Sequence, residues 1–513
     1  MRINRIWRLL ASFAIPFSVC FGQPAQAAHH DAAMAKGESE SSQPVPQPLH
    51  ARSRGSVRIN GQKIDYTATA GTLEMVDDDG KPIAHFGYTA YVADGEDKRE
   101  RPILFAYNGG PGSASMWLHM GILGPQRTAV SDTEFVGRGP FQRVNNEFST
   151  LDRADLVMID PVGTGFSRAA GEAEGEDFWG VDNDIKSVSN FIARYVSDNG
   201  RWQSPKYLLG ESYGGIRSGG VAYQLLVKHS IALNGVILVS PYMDMLAGNA
   251  RMKGDLPFIN FFSTYAATAR YHGVVDDGGM SLENFVQAAE RFAKEEYAPV
   301  LLKGHSATPE ERAAVLAGME RFTGISAEYW DRANLRIDEG RFTKELLREQ
   351  RKTVGRIDSR FVGDAIAYNR ETNTYDPFFP AVGPAFMATF NDYYREVLGV
   401  KTNQRYIGSA GLYGDWDWQH NTPGLGKVAV ANTAVDLAYA MTQNPLMRVL
   451  VQQGYYDLAT PYGATRYFID HLEVAPALRE NLQLELYEAG HMMYLHPESM
   501  RKFRDDLAGF ISN

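Results

Sequence analysis

The sequence predicts an α/β protein, with a mostly parallel central sheet flanked by helices and a helical cap insertion late in the chain. Three observations carry that prediction. Short unbroken apolar runs recur, each closed by Gly, Asn, Asp or Ser; stretches with helical spacing lie between them; and one run ends in Gly-Glu-Ser-Tyr-Gly just before a glycine-rich helical stretch. Strands that are continuously apolar are covered on both faces, as in parallel sheets. In such sheets functional groups gather at the carboxyl ends of the strands.

Residues 1–27 open with Arg2, Arg5 and Arg8, continue through an apolar centre and end Ala25-Gln26-Ala27, which reads as a secretory signal peptide cut before Ala28. A membrane anchor is the competing reading; Pro16 and Pro24 and the shortness of the apolar run oppose it. Cys20 as a lipid acceptor is opposed by the bulky Val19 before it. Cys20 is also the single cysteine, so the mature chain has no disulfide, thiolate nucleophile or cysteine-based metal site. An exported, cysteine-free protein fits a bacterial periplasm or the extracellular space. The whole 513-residue chain carries a formal charge of −10, and loss of three leader arginines leaves 48 basic against 61 acidic residues. That balance opposes non-specific nucleic-acid binding. No P-loop, HExxH or paired-cysteine signature occurs, so no cofactor and no metal are expected.

Residues 28–54 are polar and rich in Ser and Pro, a disordered lead-in; His29 and His30 fall there. Residues 55–249 read as the first part of the core. It starts with an antiparallel ribbon, "KIDYTATAGTLEM" and "PIAHFGYTAYV" around the turn "DDDGK". The strands "PILFAYN", "LVMID", "KYLLG" and "GVILVS" follow, with helices around Asn183–Ser197 and Tyr213–Val227. Residues 250–440 read as the mainly helical cap. In it "TPEERAAVLAGMERF" has Thr308 as N-cap, Pro309 at the first helical position and Glu311 completing a capping box. "GPAFMATFNDYYREVLG" reads as a helix opened by Pro384. The aromatic clusters "YDPFFP" and "YGDWDWQH" suit either a cleft wall or the cap's own core. Residues 441–513 return to the core with "RVLVQQG", "LQLELYEAG" and a closing amphipathic helix that spaces Met500, Phe503, Leu507 and Phe510 on one face.

The chemistry centres on Ser212. A serine at a tight strand-to-helix turn flanked by Gly210 and Gly214 is the nucleophile elbow. Its hydroxyl becomes nucleophilic only when a neighbouring base takes the proton. In the chain order Ser…acid…His, His491 behind the last apolar strand is the base, with His496 as its rival. Asp457, three residues past Gly454, is the acid that would orient the imidazole; Asp470 and Asp417 are its alternatives. The Gly109-Gly110 amides after the first parallel strand lie where an oxyanion hole is needed, and the Tyr213 N–H is the second donor.

Taken together, "NGGPGSAS", "IDPVGTGFS", "GESYGG" and "GHMMYLHP" resemble the serine carboxypeptidases, peptidases of the α/β-hydrolase fold. The resemblance implies that Ser212, Asp457 and His491 form the triad and that Gly110 and Tyr213 supply the oxyanion amides. It also implies that Asn108, Gly109 and Glu211 bind the free C-terminal carboxylate of a peptide. A glutamate can donate to a carboxylate only when protonated, so its pKa has to be raised by burial or by a nearby acid. The chain departs from the family in three places. Ser113 stands where a cysteine is usual. No second glutamate precedes "LGP", where Gly121 and Ile122 lie. Ile216 and Arg217 replace bulky ring residues after the elbow, with Arg217 either a carboxylate ligand or half of a structural ion pair. The expected function is a serine-type carboxypeptidase that releases C-terminal residues through an acyl-enzyme on Ser212. The same elbow also serves esterases, acyltransferases and aminopeptidases; a peptide-binding protein with a relic site is the non-enzymatic alternative.

Overall fold

A computed structural model describes residues 48–252 and 254–512. The expected signal peptide, and the lead-in as far as residue 47, lie outside the described residues. The sheet opens with three antiparallel strands: β1 (His50–Ile59), β2 (Gln62–Val76) and β3 (Pro82–Ala93). Strand β1 therefore begins inside the stretch read from sequence as disordered. Its polar residues alternate outward on an edge strand, while Ala51, Val57 and Ile59 face the core, so its hydrophobic signal is diluted by Arg52, Arg54 and Arg58. The Asn60–Gly61 turn that follows has both residues at positive φ (48° and 78°), the geometry of a two-residue hairpin.

The parallel part comprises β4 (Ile103–Tyr107), β5 (Asp155–Ile159), β6 (Lys206–Glu211), β7 (Gly235–Val239), β8 (Arg448–Gly454) and β9 (Leu482–Tyr487). In space the order is β1-β2-β3-β5-β4-β6-β7-β8-β9, with β3 antiparallel to β5 and every later pairing parallel. The ribbon expected from sequence is thus the antiparallel extension of the central sheet itself.

Helices α1 (Val181–Asp198) and α2 (Gly214–His229) cover one face of this sheet. Helix α9 (Pro497–Ser512) covers the other, burying Met500, Phe503, Leu507 and Phe510 as its spacing predicts. Each such side chain contributes about 1.5–3 kcal/mol on burial. This is an α/β-hydrolase fold.

The long connection between β7 and β8 holds α3 (Leu256–Tyr271), α4 (Leu282–Phe292), α5 (Pro309–Thr323), α6 (Phe378–Asp392) and α7 (Ala434–Gln443). Helices α3–α5 enclose a separate core around Phe262, Phe292, Phe322 and Trp330, which Leu458 of the β8 loop joins. The capping box of α5 is formed: Glu311 N–H donates to Thr308 Oγ1 (3.2 Å) and Thr308 N–H to Glu311 Oε2 (3.1 Å). Helix α6 starts six residues before Pro384, which lies in its interior. The start signal is Asp376, whose Oδ1 accepts the Phe378 N–H at 2.9 Å. Helices α6 and α7 pack into the two faces of the main sheet rather than into the cap core. Among the described residues no helix is long and apolar enough to cross a membrane.

Candidate active site

Strand β6 ends at Glu211 and α2 begins at Gly214, so Ser212 occupies the turn between them at φ +64°. A left-handed conformation in a non-glycine residue costs about 1–3 kcal/mol and persists only where the surroundings enforce it. Here the Ser212 N–H donates to Val239 O (2.9 Å), and its carbonyl accepts from Gly215 N (2.8 Å) and Tyr242 N (2.9 Å). The loop after β4 presses directly on this turn. A Cβ on Gly109 would lie 2.4 Å from Tyr213 N and 2.7 Å from Glu211 O, so only glycine lets the 109–110 backbone reach the elbow amides.

His491 stands beyond β9 on a loop held from three sides. Its N–H donates to Ile357 O (2.8 Å), its carbonyl accepts from Ser240 Oγ (2.8 Å), and the preceding Gly490 N–H donates to Asp358 Oδ2 (3.2 Å). The residues around 357 come from the β7–β8 connection, so the inserted segment helps to fix the histidine. Imidazole Nδ1 bonds Asp457 Oδ2 at 2.8 Å, with Thr460 Oγ1 3.1 Å away. Asp457 is fully buried and accepts further hydrogen bonds from Ala459 N (2.8 Å), Thr460 N (2.9 Å) and Thr460 Oγ1 (2.7 Å). With Nδ1–H directed at Asp457, Nε2 is the nitrogen able to accept a proton from Ser212. Burial pulls the His491 pKa down, but the charge and hydrogen bond of Asp457, aided by the charge of Glu211, raise it above the ordinary 6.5.

The rivals lie elsewhere. His496 directs Nδ1 to Ser499 Oγ (2.8 Å) at the start of α9. Asp470 ends helix α8 (Tyr462–Asp470), and Asp417 accepts the Gln419 N–H and bridges to Gly180.

Beside the elbow, Glu211 is buried and accepts from Asn108 Nδ2 at Oε1 (2.7 Å) and from the Tyr494 hydroxyl at Oε2 (2.7 Å). Burial pushes its carboxyl up to about 7, against the pull of the His491 charge and the two donors. Arg217 takes the structural alternative. Its Nε donates to Asp184 Oδ2 (2.8 Å) and its Nη1 to Asn108 O (2.8 Å), and the buried guanidinium lies between the Tyr107 and Tyr213 rings (5.0 and 5.3 Å). It braces Asn108 and Tyr213 from beneath and does not reach the cleft.

Asn108, Gly109, Gly110, Glu211, Ser212, Tyr213 and His491 all line one cleft of about 700 Å³. Asp457 stands behind His491. Its lining includes the apolar Trp117, Phe379 and Met387 and the charged Arg251, Glu339 and Arg356. Of the aromatic clusters, Tyr375, Phe379 and Tyr413 line the cleft, whereas Phe378 is core and Trp416 packs edge-on against Tyr213 at 5.4 Å. Sequence reasoning missed Thr460, Tyr494 and the Ile357–Asp358 brace. An Asp-x-x-Thr turn is a faint signal for the first, and the other two are set by tertiary contact alone.

Comparison with known proteins identifies the family. A family model described as serine carboxypeptidase matches residues 62–485. The chain is 27% identical over 209 residues to "Serine carboxypeptidase-like 36" of Arabidopsis thaliana, covering 40% of this chain and 39% of that protein. It is 31% identical over 188 residues to "Pheromone-processing carboxypeptidase KEX1" of Saccharomyces cerevisiae, covering 30% of this chain and 24% of that one. The matches thus span well under half the length of these curated relatives. The crystal structure of the same yeast enzyme superposes with a TM-score of 0.52 at 16% identity, over 86% of this chain and 91% of that one, a likeness of fold.

Proposed function

The chain belongs to the serine carboxypeptidase family, and on that premise we propose that it removes single residues from the free C-termini of peptides. Ser212 Oγ attacks the scissile carbonyl as its proton passes to His491 Nε2. The oxyanion that forms is met by the Gly110 and Tyr213 amides, a contribution worth about 10²–10³ in rate per donor. The C–N bond then breaks, His491 protonates the departing amine, and a free amino acid leaves. Water, deprotonated by the same imidazole, hydrolyses the acyl-enzyme and returns the proton to Ser212.

One observation carries the exopeptidase reading over other hydrolases: the buried Asn108–Glu211 pair beside Ser212, with a carboxyl that holds its proton close to neutrality. Neutral Glu211 offers an O–H to a substrate carboxylate, whereas ionised Glu211 repels it. The productive state has the proton on Glu211 and none on His491. The same proton count with the proton on His491 is unproductive. Cleavage of free-acid peptides should therefore peak near neutral pH and fall on both sides.

The test is release of the last residue from N-blocked dipeptides, compared with their C-terminal amides. A loss of kcat/KM of about 100-fold or more on amidation is expected. Equal rates on acid and amide contradict the reading. The basic, apolar, small-x-small leader supports export of the mature enzyme to the periplasm or beyond the cell, as a bacterial-type member of the family. N-terminal sequencing of the native protein should begin at Ala28; a start at Met1 contradicts export by this leader.

A further inference from the structure

The two oxygens of Glu211 have chemically different partners. Asn108 can only donate to Oε1, because its own Oδ1 is held by the Leu118 N–H (3.1 Å), which fixes the amide's orientation. Oε2 meets a hydroxyl, that of Tyr494, and a hydroxyl can donate or accept. Tyr494 sits in a short turn, Met493–Leu495, fully buried, with its ring edge-on to Phe503 (6.1 Å). Gly121 also lies against the ring, where a Cβ would lie 2.5 Å from Tyr494 Cε2. The absence of a side chain at 121 is thus the space that the Tyr494 ring fills.

We propose that Tyr494 is a positioning residue for recognition of the substrate's terminal carboxylate, its hydroxyl fixing the plane of Glu211 from the Oε2 side as Asn108 does from Oε1. This rests on the carboxypeptidase reading above. Neutral Glu211 has lone pairs for both donors and one O–H left for the substrate. When Glu211 ionises, both donors remain, and their bonds become charge-assisted and stronger. Tyr494 therefore also sets how readily Glu211 gives up its proton. The charged groups acting on Glu211 are His491, which favours ionisation, and Asp457, which opposes it; Tyr494 and Asn108 are the neutral donors. No acid shares the proton with Glu211 at this contact; its partner is a phenol that stays protonated throughout the working range.

The test is Tyr494→Phe, which keeps the ring and deletes the hydroxyl. It is assayed from pH 5 to 9 on an N-blocked dipeptide acid and on an N-blocked amino-acid ester, which lacks the terminal carboxylate. On the acid, KM at pH 6 should rise roughly threefold to tenfold, and the alkaline loss of kcat/KM should move up by about one pH unit. The ester profile should stay in place. Gly121→Ala, which pushes the ring aside and leaves the hydroxyl in the protein, should reproduce the KM effect on the acid alone. Equal changes on acid and ester overturn the proposal, since Tyr494 then acts through the fold or His491. So does an unmoved acid profile in both variants while the wild type still prefers acid over amide. A wild type with no such preference overturns the carboxypeptidase reading first, and this inference with it.

Discussion

Among the described residues two buried histidines have carboxylate partners, and they differ in one nitrogen. His491 gives Nδ1 to Asp457 and turns the rest of its ring to the cleft. His420 is held at both ends, Nδ1 by Asp182 of α1 (2.6 Å) and Nε2 by Asp436 of α7 (2.9 Å). The second arrangement is a clamp. Two carboxylates overcome the penalty of burial and raise the His420 pKa to about 9, so the ring is cationic at neutral pH and has no lone pair for chemistry. It ties the loop bearing Trp416 and Trp418 to the helical layer, and both indoles pack edge-on against Tyr213 at 5.4 and 5.9 Å. Burial beside an acid does not by itself make a base; what sets His491 apart is a second nitrogen with no carboxylate partner, in the cleft that Ser212 also lines.

Substitutions should separate the two. His491→Ala and Ser212→Ala should each lower kcat by about 10⁴-fold or more, and Ser212→Ala should do so with little change in the unfolding midpoint. Asp457→Asn should cost about 10⁴ by fixing the wrong tautomer. His420→Gln should do the reverse. Breaking a buried ionic clamp costs about 3–5 kcal/mol, read by urea titration, while kcat should stay within about tenfold because Nε2 of His491 is untouched. A His420→Gln enzyme as dead as His491→Ala would erase the distinction.

The pH dependence of stability sharpens it further. The folded-state pKa of His420 lies above its ordinary 6.5, so its contribution is fully present below 6.5 and is lost as pH rises through about 9. The gap in unfolding midpoint between wild type and His420→Gln should accordingly close between pH 6.5 and 9.5. A smaller effect comes from Glu211. Its pKa is raised from 4.5 to about 7 on folding, so the unfolded chain gives up that proton first and stability falls as pH climbs through that window. Glu211→Gln should therefore gain thermal stability at pH 8 but not at pH 4, by about 2 °C or more.

Much of this architecture is readable from local pattern. The parallel strands announce themselves because burial on both faces forces unbroken apolar runs, and the elbow because a strained strand-to-helix turn demands its flanking glycines. That His491 and Asp457 lie just past strand ends is legible too, and the structure brings the two side chains together. What stays hidden is set by contacts distant in sequence. Strand β1 looks polar because an edge strand needs only one apolar face. Pro384 reads as a helix start because proline is tolerated there, yet the helix starts six residues earlier, where Asp376 accepts the Phe378 N–H. The clamp on His420 joins residues from two helices and a short two-stranded hairpin, and Tyr494 meets Glu211 across 283 positions. No local spacing records such pairs.

The central claim is that Ser212 is a nucleophile because His491 can take its proton. It is tested most directly by treating the protein with an organophosphonate serine reagent and locating the adduct by peptide mass spectrometry. The account predicts one stoichiometric adduct, on the peptide containing Ser212, formed at least about 100-fold more slowly in His491→Ala. An adduct on another residue, or undiminished labelling without His491, would contradict it.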